Sequence, residues 1–288
     1  MRALVAVGFL LFAVSASGQS KTETTIDWQR GPITAKLGSQ AQLVIPQGYL
    51  FADSEGTRKF LESNENIPSG EEVGLLASPK SGWFVIFEFA DVGYVKDDEK
   101  KSLNADSMLE SIRKATEAAN EERKRRGWGA MTVIGWMQAP HYDEGSHNLE
   151  WAVKGEDEKG TVSSNLNTRY LGRRGYMSVT LVGDADKFET TTTDFRKVLT
   201  GFSYTPDNDY RAFVKGDKVA EYGLTALVVG GAAAVAAKTG LLKIIGKFLL
   251  AGWKLVLASL AALGAALRKL FARRDAHAPV GTTSIDGQ

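Results

Sequence analysis

Residues 83–90 read WFVIFEFA, and this stretch decides the fold. Successive side chains of a strand point to opposite faces, so a strand with one wet face alternates apolar and polar residues. Here both alternating sets are apolar, with Glu88 the exception. The stretch therefore predicts a strand inside a sheet, with other layers packed on both of its faces.

Before this strand, residues 33–37 and 42–45 flank Gly38-Ser39-Gln40, the pattern of a β-hairpin, and Pro46-Gln47-Gly48 ends it. Residues 57–64 predict a short helix broken by Pro68-Ser69-Gly70. After it, Asn104 is placed to cap a long helix running to about Arg126, with Gly127 behind it. The apolar stripe of that helix is Met108, Leu109, Ile112, Ala115 and Ala119. Residues 131–137 predict a second buried strand, and 147–153 alternate as a half-buried one. Residues 161–171 and 176–182 form a hairpin around Gly172-Arg173-Arg174-Gly175. Asp184 or Asp186 caps a last helix with Phe188, Phe195, Val198 and Leu199 inward, and 202–204 add a final strand. The resulting order, ββαβαββββαβ, belongs to the α+β class: a mainly antiparallel sheet flanked by helices.

The ends of the chain have a different character. Arg2, an apolar run over residues 3–14 and the small residues Ser15-Ala16-Ser17-Gly18 compose a cleavable secretory signal over 1–18, with cleavage after Ala16 or Gly18. Near Tyr222 the composition shifts again. Residues 222–237 carry no charge, and 241–267 are apolar apart from Lys243, Lys247 and Lys254. Residues 248–267 reach ~30 Å as a helix, enough to span a bilayer core. The expected organisation is a signal at 1–18, an extracytoplasmic α+β domain at 19–220, a hydrophobic membrane anchor at 221–274 and a disordered tail at 275–288. The anchor is either one transmembrane helix, with Arg268, Lys269, Arg273 and Arg274 in the cytoplasm, or a helical hairpin with those residues outside. Both place the domain in the periplasm on a bacterial inner membrane, with the lipid bilayer as its first partner.

Charge divides the chain in the same way. The whole carries a formal net charge of +1, but residues 19–220 carry about −5 once the basic ends are set aside. An acidic domain without a basic stripe argues against nucleic-acid binding. There is no cysteine, which excludes a disulfide framework, a thiol nucleophile and a thiolate metal site.

Several short motifs recur in an order that resembles a bacterial family of membrane-anchored proteins, the domain of unknown function DUF2167. They are Gly93-Tyr94-Val95-Lys96-Asp97-Asp98; Ala119-Asn120 with Arg123 and Gly127; Gly135-Trp136 with Pro140 and Tyr142-Asp143; and His147-x-Leu149-x-Trp151-Ala152. Asn165, Asn167 and Arg169 follow, then Leu171-Gly172-Arg173-x-Gly175 and Tyr222-Gly223-Leu224. Thr168 stands where a bulkier residue is the family's pattern. The resemblance implies an outward-facing domain on a C-terminal anchor and brings no activity with it. The strand order is also similar to Mog1/PsbP-like domains, as an analogy of fold.

Six residues are candidates for ligand binding. Arg123 falls on the apolar stripe of the long helix, with Asn120 beside it. They form either a structural polar network, Asn120 satisfying the backbone of a neighbouring strand, or the floor of a ligand cleft. Asn165, Asn167 and Arg169 share one face of a strand, expected to be the solvated side of the sheet. Arg173, in the next turn, is placed to grip an anion. Asp97, Asp98 and Glu99 read as a solvated turn rather than a cation loop. His141, Asp143, Glu144 and His147 match no standard zinc spacing, so neither a metal nor another cofactor is expected. The function that fits is a binding or scaffolding module with an envelope protein as partner. The alternative is a periplasmic hydrolase with His147 as general base, oriented by Asp97 or Asp143.

Overall fold

Residues 84–90 occupy the interior of a sheet and are buried without exception, as their two-sided apolar pattern requires. The structure, a computed structural model, describes residues 25–229. In chain order the elements are β1 (Gln29–Arg30), β2 (Ile33–Leu37), β3 (Ala41–Ile45), β4 (Leu50–Ala52), α1 (Ser54–Ser63), β5 (Glu72–Ala77) and β6 (Phe84–Ala90). Then come α2 (Ala105–Arg125), β7 (Met131–Asp143), β8 (Asn148–Asp157), β9 (Val162–Leu171), β10 (Tyr176–Asp184), α3 (Phe188–Leu199), β11 (Phe202–Tyr204) and α4 (Leu224–Val229). The fold is an α+β one dominated by antiparallel sheet. An eight-stranded sheet has the order β1-β4-β5-β6-β10-β9-β8-β7, and a three-stranded sheet has the order β11-β3-β2.

The large sheet is covered on both faces. On one side Val85, Phe87 and Phe89 of β6 and Met177, Val179 and Leu181 of β10 meet Leu37, Leu43 and Ile45 of the small sheet and Phe195 and Val198 of α3. Each such fully buried aliphatic or aromatic side chain contributes about 1.5–3 kcal/mol. The other face carries helices and two separate apolar clusters. Phe84, Ile86 and Val182 pack with Leu61 of α1. Leu149, Trp151, Val153, Leu171 and Tyr176 pack with Met108 and Ile112 of α2 and Leu224, Leu227 and Val228 of α4.

The expected hairpins and the cap on α2 are present: Asn104 Oδ1 accepts from Ser107 N at 2.9 Å. Asp184 caps a 3-10 turn, Ala185–Lys187, that leads into α3. Three strands were not expected from the sequence: β1, β4 and β5. In β5 the pattern is broken by Gly74, where a Cβ would stand 2.6 Å from the Phe51 ring, so close packing of β4 excludes a side chain. The stretch 131–137, expected to be a buried strand, is the start of the edge strand β7. Its burial alternates there, Ile134 is 42% exposed, and its register against β8 shifts at three places. Such irregularity blunts an edge against unwanted pairing.

The uncharged stretch after Tyr222 begins inside this domain. Glu99 Oε2 accepts from Thr225 N at 2.8 Å, and α4 lies on α2. The apolar side chains Leu224, Leu227 and Val228 therefore cover α2, and packed chain continues past Ala220. Among the described residues no helix is long and apolar enough to cross a membrane. The expected signal at 1–18, the span at 248–267 and the tail at 275–288 lie outside the described residues.

Candidate functional site: a buried polar row between two helices

Antiparallel pairing puts directly opposed residues on the same face of a sheet. Glu88 on β6 opposes Glu72 on β5 and Ser178 on β10, and Ser178 opposes Arg169 on β9. One step along, Ile86, Thr180, Asn167 and Trp151 form the next row, and Phe84, Val182, Asn165 and Val153 the one after. On the face carrying α1 and α2, a polar wedge thus separates the two apolar clusters. The expectation of a solvated face is wrong: Asn165 is 1% exposed, Asn167 5%, Arg169 8% and Glu88 8%. The cause is coverage, since β9 lies inside the sheet and its face is overlaid by the layer that holds α1, α2 and α4.

A buried polar group without a partner costs about 1–3 kcal/mol. Asn167 is satisfied: Thr180 Oγ1 donates to its Oδ1 at 3.3 Å, and its Nδ2 donates to Asn165 O at 3.2 Å. Asn165 is not, for neither Oδ1 nor Nδ2 has a partner. Arg169 lies with its guanidinium 4.8 Å from the Trp151 ring centroid and 5.8 Å from that of Tyr176. Its one hydrogen bond runs from Nη1 to Thr168 O at 3.5 Å, and its Nε has none. Burial pulls the Arg169 guanidinium below its ordinary value, and the nearby Tyr176 and Glu88 oppose that pull. Trp151 Nε1 is also buried without a partner. Trp151 directly opposes Asn167, so Asn165 and Arg169 are its two diagonal neighbours. Trp151, Asn165 and Arg169 are thus neighbours on one face of the sheet, with the Arg169 guanidinium over the indole ring.

The acidic end of the row is satisfied locally. Glu72 accepts from Ser69 Oγ and from Gly70 N, each at 3.0 Å. The Ser69 hydroxyl also lies 2.6 Å from Glu88 Oε1. One hydroxyl proton cannot serve both carboxyl groups. The contact to Glu88 is the shorter of the two. Burial pushes the Glu88 carboxyl up, against the Ser69 hydrogen bond and Arg169. Tyr176 and Tyr222 close the Arg169 end, and burial raises both phenols.

The other candidates lie elsewhere. Asn120 grips the outer edge of β7: its Nδ2 donates to Met131 O at 2.8 Å and its Oδ1 accepts from Met131 N at 2.9 Å. Arg123 donates from Nε to Gly129 O at 2.6 Å and from Nη1 to Glu65 O at 2.9 Å. Both side chains are engaged with backbone groups, as a structural polar network would have them. Arg173 is not free to hold an anion, because Asp217 engages it bidentately at 2.7 and 2.9 Å. His147 Nδ1 faces Tyr142 Oη at 3.3 Å, and its ring lies against Tyr210. Asp143 turns away to accept from Ser146 N and Oγ, and Asp97 is hydrogen-bonded to the Tyr142 phenol, so neither expected carboxylate pairs with His147. Among the described residues no group of three or more His, Asp or Glu side chains converges as a metal site would require. Sequence reasoning missed Trp151, Tyr176, Ser178 and Glu88 as members of the site. The one available signal was Glu88 itself, the lone charge in an otherwise apolar strand.

Comparison with known proteins agrees with the motif reading. No curated protein matches the chain. The solution structure of cyanobacterial PsbP (CyanoP) from Synechocystis sp. PCC 6803 aligns over 65% of this chain and 98% of its own, at 12% identity and a TM-score of 0.37. The family model described as "Protein of unknown function (DUF2167)" matches residues 29–264, from the first strand of the domain into the hydrophobic stretch beyond it. The chain belongs to the DUF2167 family.

Proposed function

We propose that this protein is a ligand-binding module of the bacterial cell envelope, held at the inner membrane by the hydrophobic stretch beyond Val229 with its domain in the periplasm. One observation carries the binding role: the buried, unpartnered polar atoms of Trp151, Asn165 and Arg169, gathered on one face of the sheet. Native proteins leave few such groups, and each calls for a partner such as an ordered water, an ion or a bound molecule. Location and tethering rest on the signal-like residues 1–18 and the apolar residues 248–267. An envelope protein is the partner to which such a tethered domain would report.

The test is native mass spectrometry of the full chain extracted from its own membranes, with and without prior crosslinking. A stoichiometric small molecule, or a reproducible envelope protein, is the expected result. A chain that carries neither contradicts the proposal. Protease added to spheroplasts should digest the domain; protection would place it in the cytoplasm and overturn the location.

A further inference from the structure

The chemistry of the buried cluster narrows what it binds. Arg169 Nε and Trp151 Nε1 are donors only, Asn165 Nδ2 is a donor, and Asn165 Oδ1 is the one acceptor among the unpartnered atoms of the three residues. A group rich in acceptors matches this set. Arg169 is also a buried cation with no carboxylate in ion-pair contact among the described residues, since the salt bridges of the domain do not include it. An uncompensated buried charge of this kind calls for an anion. The acidic residues of the row do not supply it. Glu72 lies three strands away from Arg169, about 14 Å at the usual strand spacing, and its carboxylate is already occupied by Ser69 and Gly70. Glu88 lies two strands from Arg169, about 10 Å at the usual strand spacing, and already accepts from Ser69 Oγ at 2.6 Å.

We infer that the site around Trp151 takes a small carboxylate bearing a hydroxyl group. The carboxylate oxygens accept from Arg169 Nε, Trp151 Nε1 and Asn165 Nδ2, while the ligand hydroxyl donates to Asn165 Oδ1. A hydroxyl suits this acceptor better than an ammonium group, which the Arg169 charge would repel. This rests on the binding-module reading above and names its ligand class.

In the present state the three side chains are shut off, so entry requires the cover to move. The segment leading into Tyr222, whose phenol acts on the Arg169 charge, is part of that cover. It is clasped by Arg173–Asp217 and by Tyr94, whose N donates to Lys218 O at 2.8 Å and whose O accepts from Ala220 N at 2.9 Å.

The test is calorimetric titration of the full chain in detergent and chloride-free buffer, using sodium glycolate, sodium acetate and ethylene glycol as probes. Glycolate should bind, with acetate roughly 5–10-fold weaker for want of the hydroxyl. Ethylene glycol should not bind. Arg169→Met should weaken glycolate by about thirtyfold or more. Trp151→Phe keeps the ring and should cost roughly 5–10-fold. Asn165→Leu should erase the preference for glycolate over acetate, a readout that survives even if Arg169→Met fails to fold. Glycolate binding equally well to all three variants overturns the inference, as does binding of the neutral diol alone. If no carboxylate binds while the membrane-extracted chain still carries another molecule, the ligand class fails and the binding module stands. If nothing occupies the site under any condition, both fail.

Discussion

Asn120 substitutes for a missing strand, and removing it should unpin the edge of the sheet. Met131 begins β7, the edge strand; it is 3% exposed and pairs with Asp157 of β8 on its inner side. On the outer side there is no further strand, and the Asn120 amide supplies both the donor and the acceptor, at 2.8 and 2.9 Å. Asn120→Ala removes two hydrogen bonds worth about 1 kcal/mol each, and leaving the Met131 N–H and C=O without partners adds about 1 kcal/mol more where water cannot reach them. Better helix propensity returns about 0.5 kcal/mol. The net loss is about 2–3 kcal/mol, a fall in Tm of roughly 4–12 °C for a domain of this size. Urea unfolding at constant m-value measures it directly. Asn120→Asp retains the acceptor for Met131 N–H but cannot donate to Met131 O, so it should also destabilise, with no gain in glycolate or acetate response. A loss below about 0.5 kcal/mol for Asn120→Ala would refute the idea that this amide closes the sheet edge.

Three further outcomes follow from the same contacts. Arg123→Leu should destabilise by about 1–3 kcal/mol, because the Gly129 and Glu65 carbonyls lose their donor, and should leave titrations at the Trp151 site unchanged; altered binding with unaltered stability would place Arg123 at the ligand instead. Burial raises the folded Glu88 carboxyl above its unfolded value of about 4.3, so the folded state holds the proton longer, and wild type loses stability as pH rises from about 4 through the folded value. Urea unfolding at successive pH values should therefore show Glu88→Gln gaining on wild type as pH rises, and a difference that moves the other way would contradict a raised carboxyl. Asp217, held down to about 2 by the Arg173 hydrogen bond, stabilises above the unfolded value near 4, and that contribution disappears as pH falls from about 4 to about 2. Asp217→Asn should lie below wild type at neutral pH and converge with it in acid; parallel curves would mean that the clasp adds nothing.

What could be read from the sequence was local. The interior strand β6, the hairpins and the Asn104 cap each depend on spacing within a few residues, and the structure has them where the pattern puts them. Strands β1 and β4 are too short to carry a period, and Gly74 interrupts the one in β5 for a reason that lies on another strand, the Phe51 ring. The shared face of Asn165, Asn167 and Arg169 was legible from alternation, but its burial was not. Alternation tells which side chains travel together and says nothing about what lies above them. Arg173 shows the same limit, since the carboxylate that neutralises it is separated from it by 44 residues. Tyr222-Gly223-Leu224 was read for its lack of charge, which a helix seated on α2 and a helix bound for a membrane have in common.

The account stands on the unpartnered atoms of three buried side chains, and a high-resolution crystal structure of the chain purified from its own envelope tests them most directly. The prediction is non-protein density within hydrogen-bonding distance of Arg169 Nε, Trp151 Nε1 and the Asn165 amide, with the carboxylate end of the occupant against the guanidinium. Density for protein alone, with those atoms bonded to one another or to neighbouring side chains, would contradict it.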